Sequence, residues 1–388
     1  MINKKFDVIV IGLGPAGSSA AYHLGRAGIR VLAIEKERMP RYKTCAGGIP
    51  SRLVKLLDLD ISAAIENEIR GAYICHHSRS VESPQEENAG YVVNRAVFDY
   101  LLALRAQEAG AEIREVETVR EIFEQDGPAD LIEVKTNRDV YLCRALIGAD
   151  GVNGTSARYL GHSGRSGDIG IEVSVSNEYP VIRNNAHRLG FYFGDMPQGY
   201  GWIFPRKKNA SVGIGISMKY SARAGKMLAG FLETLGIPAK LVEQAKGRRI
   251  PLFSPWSHRP YYRKNILLVG DAASFVDPIT GEGIYYAIKS GEAAAQAIIS
   301  TLPGGCLASA YAAALKKDIL NELHAAWKIS VPLYKFPRAS FAFYEYNDRV
   351  RNLHFNISMG RASYAELADE LPQNALSFLK LLLFRKIF

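Results

Sequence analysis

Apolar residues in the first 35 positions change period twice. Phe6-Asp7-Val8-Ile9-Val10-Ile11 is a β-branched run of strand type, Ser18 to Arg26 is Ala-rich and helix-compatible, and Val31-Leu32-Ala33-Ile34 reads as a second strand. Further on, Tyr91-Val92-Val93 passes into a helical stretch with apolar positions at Phe98, Leu101, Leu102 and Ala109. A long middle segment is richer in strand signals. Within it Tyr200, Trp202 and Phe204 alternate, which places them on one face of a strand. Strand and helix patterns resume together from Asn265 to Ala297, with no internal repeat and no low-complexity linker on the way. An interleaved α/β (mixed α+β) architecture is expected, with a mostly antiparallel sheet inserted into a nucleotide-type domain.

Between the first strand and helix stands Gly12-Leu13-Gly14-Pro15-Ala16-Gly17. In this setting the first glycine allows a tight turn, the second lets a pyrophosphate approach the backbone, and the third lets helix and strand pack closely. Glu35, followed by Lys36, ends the second strand at about the ~20-residue distance expected of a carboxylate on an adenosine ribose. An acid there favours an unphosphorylated ribose, as in FAD or NAD. Two later segments narrow the choice to FAD: Gly148-Ala149-Asp150-Gly151, and Val269-Gly270-Asp271-Ala272-Ala273 followed by Asp277-Pro278-Ile279-Thr280-Gly281-Glu282-Gly283. The expected organisation is a Rossmann-like FAD-binding domain from residues 1–75, 89–160 and 262–300. An antiparallel-sheet substrate domain takes 76–88 and 161–261, and a helical C-terminal region takes 301–388.

Composition changes the picture modestly. At 388 residues and 48% hydrophobic content the chain can bury a large core. The formal charge of +9 suits an anionic substrate or membrane surface. No basic block with interleaved aromatics points to nucleic acid, and clusters such as Arg206-Lys207-Lys208 and Arg248-Arg249 read as solvated surface. Cys45, Cys75, Cys143 and Cys306 stand far apart without a C-x-x-C pair, so neither a disulfide framework nor a zinc site is expected. His76 and His77, adjacent on an extended segment, point to opposite faces and take surface or core roles rather than metal ligation. Lys4 and Lys5 before an apolar run imitate a secretory signal, but the glycines break that run, so it reads as a first strand; the scattered cysteines make a cytoplasmic location the expectation.

No stretch reaches the ~18 consecutive apolar residues that cross a bilayer. Leu376 to Phe388 nevertheless combines dense Leu and Phe with Lys380, Arg385 and Lys386, which fits either a helix in the interface of the inner membrane face or a final helix docked on the core. Arg95, at the start of the helix carrying Phe98, either meets a cofactor edge or forms a surface ion pair. The aromatic residues from 334 to 355, among them Tyr334, Phe336, Phe341, Phe343, Tyr344 and Tyr346, read as core packing.

Taken together, Gly12 to Gly17 with Glu35, Asn94-Arg95 before Phe98-Asp99, Asp150-Gly151, Gly270-Asp271 and Pro278 to Gly283 resemble the p-hydroxybenzoate hydroxylase-type flavoproteins over nearly residues 1–300. Tyr42-Lys43-Thr44-Cys45-Ala46-Gly47-Gly48-Ile49-Pro50 and Gly199-Tyr200-Gly201-Trp202-Ile203-Phe204-Pro205 are similar to the geranylgeranyl reductases within that group. The resemblance implies FAD held by Gly12, Gly14, Pro15, Ala16, Gly17, Glu35, Lys36, Cys45, Ala46, Gly47, Arg95, Asp150, Gly151, Gly270, Asp271, Pro278, Gly281, Gly283 and Ile284. Asp271 would bond the ribityl chain, and Asp150-Gly151 would lie near the phosphate-ribityl region. The helix beginning near Gly281-Glu282-Gly283-Ile284 would aim its N–H groups at the flavin pyrimidine edge, where a helix N-terminus favours the anionic reduced ring.

The implied reaction saturates C=C bonds of a geranylgeranyl or polyprenyl chain on a lipid, chlorophyll, quinone or diphosphate carrier. An isolated alkene is not polarised by a carbonyl, so hydride delivery must be matched by a proton in a dry, apolar setting. The catalytic residues expected are Cys45, Gly47, Gly48, Tyr200 and Trp202. Cys45, in a Gly-rich loop that the family places over the flavin, is either the proton donor, a tuner of the flavin or a small packed residue; a thiol is ordinarily protonated at neutral pH and can donate. Tyr200, Trp202 and Phe204 would wall a tunnel for the chain, although a core-packed sheet shows the same alternation. Electrons would come from NADPH or from a redox partner protein such as reduced ferredoxin, since no second dinucleotide fingerprint is present. The same fold serves monooxygenases and halogenases; the W-x-W-x-I-P signature of halogenases is not matched by Trp202-Ile203-Phe204-Pro205. A non-catalytic flavin- or lipid-binding protein is the third class.

Overall fold

The structure is a computed structural model that describes residues 4–83, 89–125, 131–162, 167–257, 259–302 and 304–371. Leu376 to Phe388, expected as a membrane or docking helix, lies outside the described residues. The chain divides into two compact units, Met1–Lys43 with Arg95–Ser166 and Ile250–Leu323, and Thr44–Asn94 with Gly167–Arg249 and His324–Phe388.

The first unit is built on a mainly parallel sheet in the order Tyr262–Arg263, Ile266–Leu268, Val140–Gly148, Lys4–Ile11, Val31–Ile34, Glu112–Arg114. Val8, Ile9 and Val10 are fully buried at the centre, which is why this strand reads as a continuous apolar run rather than an alternation. Strands Val119–Glu124 and Ile132–Thr136 extend it antiparallel from Val140–Gly148. Helices Pro15–Arg26 and Ile284–Thr301 approach at backbone distance: a Cβ on Gly291 would stand 2.2 Å from the Ala16 carbonyl oxygen, and Ser19 Oγ donates to the Ile288 carbonyl at 2.9 Å. Tyr311, on helix Leu307–Leu315, donates its hydroxyl to the Leu268 carbonyl at 2.7 Å.

The second unit holds a seven-stranded sheet in the order Lys246–Ile250, Asp168–Ser176, Asn209–Ser217, Tyr200–Pro205, Arg188–Phe193, Gly71–His76, Arg79–Glu82. Within it Arg188–Phe193 pairs parallel to Gly71–His76. One face, with Ile203, Val212, Ile214 and Ile216, packs on helix Ala224–Thr234 through Leu228 and Phe231. A small sheet of Gly48–Pro50, Gly90–Val93 and Ile65–Ile69 belongs to the same unit.

The boundaries differ from those expected. Residues 44–75 and 89–94 join the second unit because Gly71–His76 pairs in its large sheet and Gly90–Val93 in its small one. The helical region after 301 is divided, its first helix joining the dinucleotide unit. The histidine pair is also corrected. The strand ends at His76, His77 turns to φ 53, and the two rings meet edge-on at 4.4 Å instead of pointing apart. Of the aromatic residues after 334, Phe341 is buried against His76, whereas Phe336 and Tyr346 are exposed.

Asp168 opens the strand Asp168–Ser176, and burial pushes its carboxyl up to about 6. The folded chain therefore holds this proton more tightly than the unfolded chain, and stability falls as pH rises from about 4 to about 6. Asp168→Asn is expected to raise the thermal midpoint at pH 7 by about 2–5 °C, with the gap to the parent narrowing as pH is lowered to 5. A gap independent of pH would remove Asp168 as its source.

Candidate functional site

The glycine loop separates requirements of the fold from requirements of a ligand. Gly12 adopts φ 96, and a Cβ there would lie 2.5 Å from the Ala149 carbonyl oxygen; a Cβ on Gly17 would lie 1.9 Å from the Gly12 carbonyl oxygen. Both positions exclude a side chain for structural reasons. At Gly14 a Cβ would meet only Arg41 Nη2, at 3.7 Å, so the space over this residue is left open by the protein. Gly14 caps helix Pro15–Arg26 with no side-chain hydrogen bond and no acid in the first turn, leaving its first N–H groups to an anion. Pro15 at the first helical position loses no hydrogen bond, and Ala16 gives the close approach to Gly291.

Glu35 is 3% exposed and ties the loop to the second strand, accepting the Leu13 N–H at 2.9 Å and the Glu37 N–H at 3.2 Å. A carboxylate has about four acceptor sites, so capacity remains for a ribose diol. Lys36 points away, 68% exposed and 3.9 Å from Glu37. Arg95, expected at a cofactor edge or a surface ion pair, is buried and grips Asp99 at 2.9 and 3.0 Å. The sequence reading missed Arg41, which completes the group: its Nη1 lies 3.2 Å from Asp99 Oδ2 and its Nε 3.7 Å from Glu35 Oε1. Two guanidinium groups thus face two carboxylates, and one of the cations lies next to the open space over Gly14.

Asp150 accepts the Ser156 N–H at 3.0 Å and the Ser156 hydroxyl, capping the short helix Thr155–Tyr159; burial raises its carboxyl above the usual range. Its carboxylate is thereby engaged in the fold. The neighbouring Gly151 has φ 80 and open space around its Cβ direction. Gly270, at φ 56, donates its N–H to Ser290 Oγ at 2.9 Å and leaves room for Ala16 and Ala287. Asp277 builds the turn around Pro278 by accepting the Ile279 N–H at 2.7 Å. Gly281, at φ 71, leads to Gly283, which caps helix Ile284–Thr301 without a side-chain bond. A Cβ on Gly283 would lie 3.4 Å from Asp271 Oδ1, so this carboxylate stands beside the helix N-terminus. These residues fit FAD: an open phosphate cradle with a cation, a ribose acid, and a glycine-flanked helix N-terminus beside an acid.

In the second unit, the face of the large sheet opposite helix Ala224–Thr234 is aromatic. Tyr200, Trp202 and Phe204 do share one face, and the register sets Phe193 opposite Tyr200 and Phe191 opposite Trp202. Phe191 lies 5.6 Å from Phe204 and Phe193 5.6 Å from Tyr200 between ring centroids. Phe191 and Phe193 were missed, though Phe191-Tyr192-Phe193 carries the same alternation. Trp202 is only 8% exposed, its indole lying over Gly213, where a Cβ would be 2.4 Å from the ring.

The loop before the small sheet borders this face. Gly47, at φ 87, accepts the Val93 N–H at 2.9 Å, and a Cβ on it would stand 2.4 Å from the Val93 carbonyl oxygen. A Cβ on Gly48 would meet the Phe204 ring at 2.5 Å. These two glycines, expected among the catalytic residues, act by letting the loop lie close to strand and ring. Arg206 Nη2 donates to the carbonyls of Cys45 at 2.9 Å and Ala46 at 3.4 Å. Cys45 itself is half-buried, whereas burial pushes the Cys75 thiol up to about 11, leaving it protonated on the opposite face.

A dinucleotide cradle in one unit and an aromatic face with a thiol-bearing loop in the other define an FAD-dependent oxidoreductase. Residues 5–224 match the FAD binding domain family, and residues 195–371 match the tryptophan halogenase family. The chain is 33% identical to digeranylgeranylglycerophospholipid reductase 2 of Methanothermobacter thermautotrophicus, over 84% of this chain and 86% of that one. It is 31% identical to geranylgeranyl diphosphate reductase of Rhodobacter capsulatus, over 78% and 77%. A solved geranylgeranyl bacteriochlorophyll reductase-like protein of Thermoplasma acidophilum shares the fold with TM-score 0.75 at 24% identity, covering 98% of each chain. The chain belongs to the geranylgeranyl reductase family of FAD-binding flavoproteins.

Proposed function

We propose that the protein is an FAD-dependent reductase that saturates C=C bonds of a geranylgeranyl or related polyprenyl chain on a phosphate-bearing carrier. The observation that carries the reading is the aromatic face of the second unit, with Phe191, Phe193, Tyr200, Trp202 and Phe204 on one side of the sheet and the Cys45 loop against Phe204. Rings of this kind hold an apolar chain and exclude water, which an unpolarised alkene requires. The relatives' names support the substrate: one is a reductase of a digeranylgeranyl phospholipid, the other of geranylgeranyl diphosphate.

FAD, when bound and reduced, supplies a hydride. Gly14, Pro15, Gly17, Glu35, Gly270, Asp271, Gly281 and Gly283 would hold and orient it, and Arg41, next to the open space over Gly14, would offer a cation to its phosphates. Cys45 holds the proton that completes the reduction, its Sγ carried by a peptide fixed through Arg206. NADPH or a reduced iron–sulfur protein would supply the electrons, and a lipid-borne substrate would bring the protein to a membrane face. Among the described residues no helix is long and apolar enough to cross a membrane.

The match of residues 195–371 to tryptophan halogenases favours a second reading, in which the flavin uses dioxygen. Anaerobic turnover separates the two. The pre-reduced protein mixed with a geranylgeranyl phospholipid or diphosphate under argon is expected to return to the oxidised yellow form as the lipid gains pairs of hydrogen atoms by mass. Retention of the reduced spectrum, with product only after oxygen is admitted, would sink the reductase. Cys45→Ala is expected to keep the FAD spectrum and slow this reaction by about 10²- to 10⁴-fold, the range of a general acid. Unchanged single-turnover rates would take Cys45 out of the chemistry.

A further inference from the structure

We propose that Glu172 is a positioning residue that fixes the Cys45 peptide and ties its placement to the indole of Trp202. Its chemical meaning rests on the reductase reading, but its structural claim stands apart from it. Trp202 Nε1 donates to Ser211 Oγ at 2.9 Å. An indole N–H can only donate, so the serine spends a lone pair on it and keeps its own proton for another acceptor. That acceptor is Glu172 Oε2, which takes the Ser211 hydroxyl in a short hydrogen bond. The other carboxylate oxygen, Oε1, accepts the Cys45 N–H at 3.1 Å. On the far side of the same residue, Arg206 Nη2 holds the Cys45 carbonyl at 2.9 Å.

The arrangement follows from the sheet. Glu172 opposes Gly213 and Ser211 opposes Phe204, so both project from the aromatic face that carries Trp202. Gly213 has no side chain to separate them, and the indole occupies that room. Glu172 is 7% exposed among aromatic and glycine neighbours, an expensive place for a carboxylate unless each oxygen has a donor. Both do. Glutamine in its place can keep the Cys45 N–H on its amide oxygen but turns an N–H donor toward Ser211 Oγ, so the serine proton that Glu172 accepts loses its acceptor and the link from Trp202 to Cys45 is weakened. The carboxylate is therefore required by the connection it makes, from the wall that contacts a substrate chain to the backbone that carries the thiol.

The test is made on the full-length FAD-loaded protein with Cys306→Ser, which removes the exposed competing thiol. Alkylation of Cys45 by iodoacetamide is followed by peptide mass spectrometry, with buried Cys75 and Cys143 as internal references. Glu172→Gln is expected to raise the Cys45 rate by about tenfold, the scale of one lost hydrogen bond to a buried charge. Trp202→Phe, which keeps a ring and removes the N–H, should shift it the same way, and the double variant should go no further than the larger single. In turnover, Glu172→Gln should lower kcat and leave the KM for the polyprenyl substrate within about twofold, since only the reacting group is displaced. Should Glu172→Gln lose FAD, the pair Ser211→Ala and Ser211→Thr decides: alanine should raise the rate while threonine, which retains the hydroxyl, stays within about twofold of the parent. An alkylation rate that is unchanged or reduced in a folded Glu172→Gln protein, additive single effects, or equal rates for the two Ser211 variants would overturn the proposal. If these shifts appear in a protein inactive on every polyprenyl substrate, the positioning stands and the reductase reading fails.

Discussion

Alanine at Asp99 is expected to destabilise the dinucleotide unit by about 3–5 kcal/mol, because it removes the buried carboxylate that two buried guanidinium groups share. Asp99 is fully buried, accepting Arg95 through Nε at 2.9 Å and Nη2 at 3.0 Å and Arg41 through Nη1 at 3.2 Å. The expected fall in thermal midpoint is about 5–10 °C. Asp139→Asn, which breaks the exposed pair with Lys4, serves as the contrast and should change little. The deficit should also depend on the cofactor. Arg41 Nη2 lies 3.7 Å from where a Cβ on Gly14 would stand, so a diphosphate there supplies negative charge that Asp99→Ala has removed. The difference between variant and parent should therefore be smaller at saturating FAD than without it. Equal differences in the two conditions would place Arg41 away from the phosphates.

The same arginine shows which parts of the site the chain discloses directly. Gly12, Gly14 and Gly17 are legible because their requirements are local: a positive φ, a close carbonyl and an open approach belong to one short loop between a strand and a helix. Tyr200, Trp202 and Phe204 are legible for a similar reason, since period-two alternation fixes a shared face whatever the surroundings. Arg95 and Asp99, by contrast, are four residues apart on a helix, a spacing typical of solvated pairs; burial makes them an anchor for Arg41, and burial is tertiary. Glu172 and Ser211 look like the polar positions of half-exposed strands, and only the pairing of three strands brings them to Trp202 and the Cys45 loop. The unit boundaries were displaced for the same reason. Gly71–His76 carries nothing in its own composition that assigns it to one sheet rather than another; its hairpin neighbour Arg79–Glu82 is local, and the strand that joins both to the large sheet, Arg188–Phe193, lies more than a hundred residues away.

Two substitutions in the glycine loop should give opposite defects. Gly14→Val places a branched side chain in the opening that the protein leaves unfilled, where only the movable end of Arg41 comes near. The backbone there, φ −75 and ψ −177, is extended and suits a β-branched residue. The fold should lose no more than about 1 kcal/mol, the cost of a poorer N-cap. FAD affinity should fall by about a hundredfold or more, because the pyrophosphate can no longer reach the helix N–H groups. The purified variant is expected to be folded by circular dichroism and colourless. Gly17→Ala should do the reverse of this separation. Its Cβ would stand 1.9 Å from the Gly12 carbonyl oxygen, a backbone atom held by the N–H of Gly12 on the Ile34 carbonyl at 2.8 Å, so the loop, strand and helix must move apart. That variant should be insoluble or unfolded with or without added flavin. A yellow Gly14→Val protein with parental affinity would show that the phosphates lie elsewhere, and the assignment of the open loop as their cradle would fall with it.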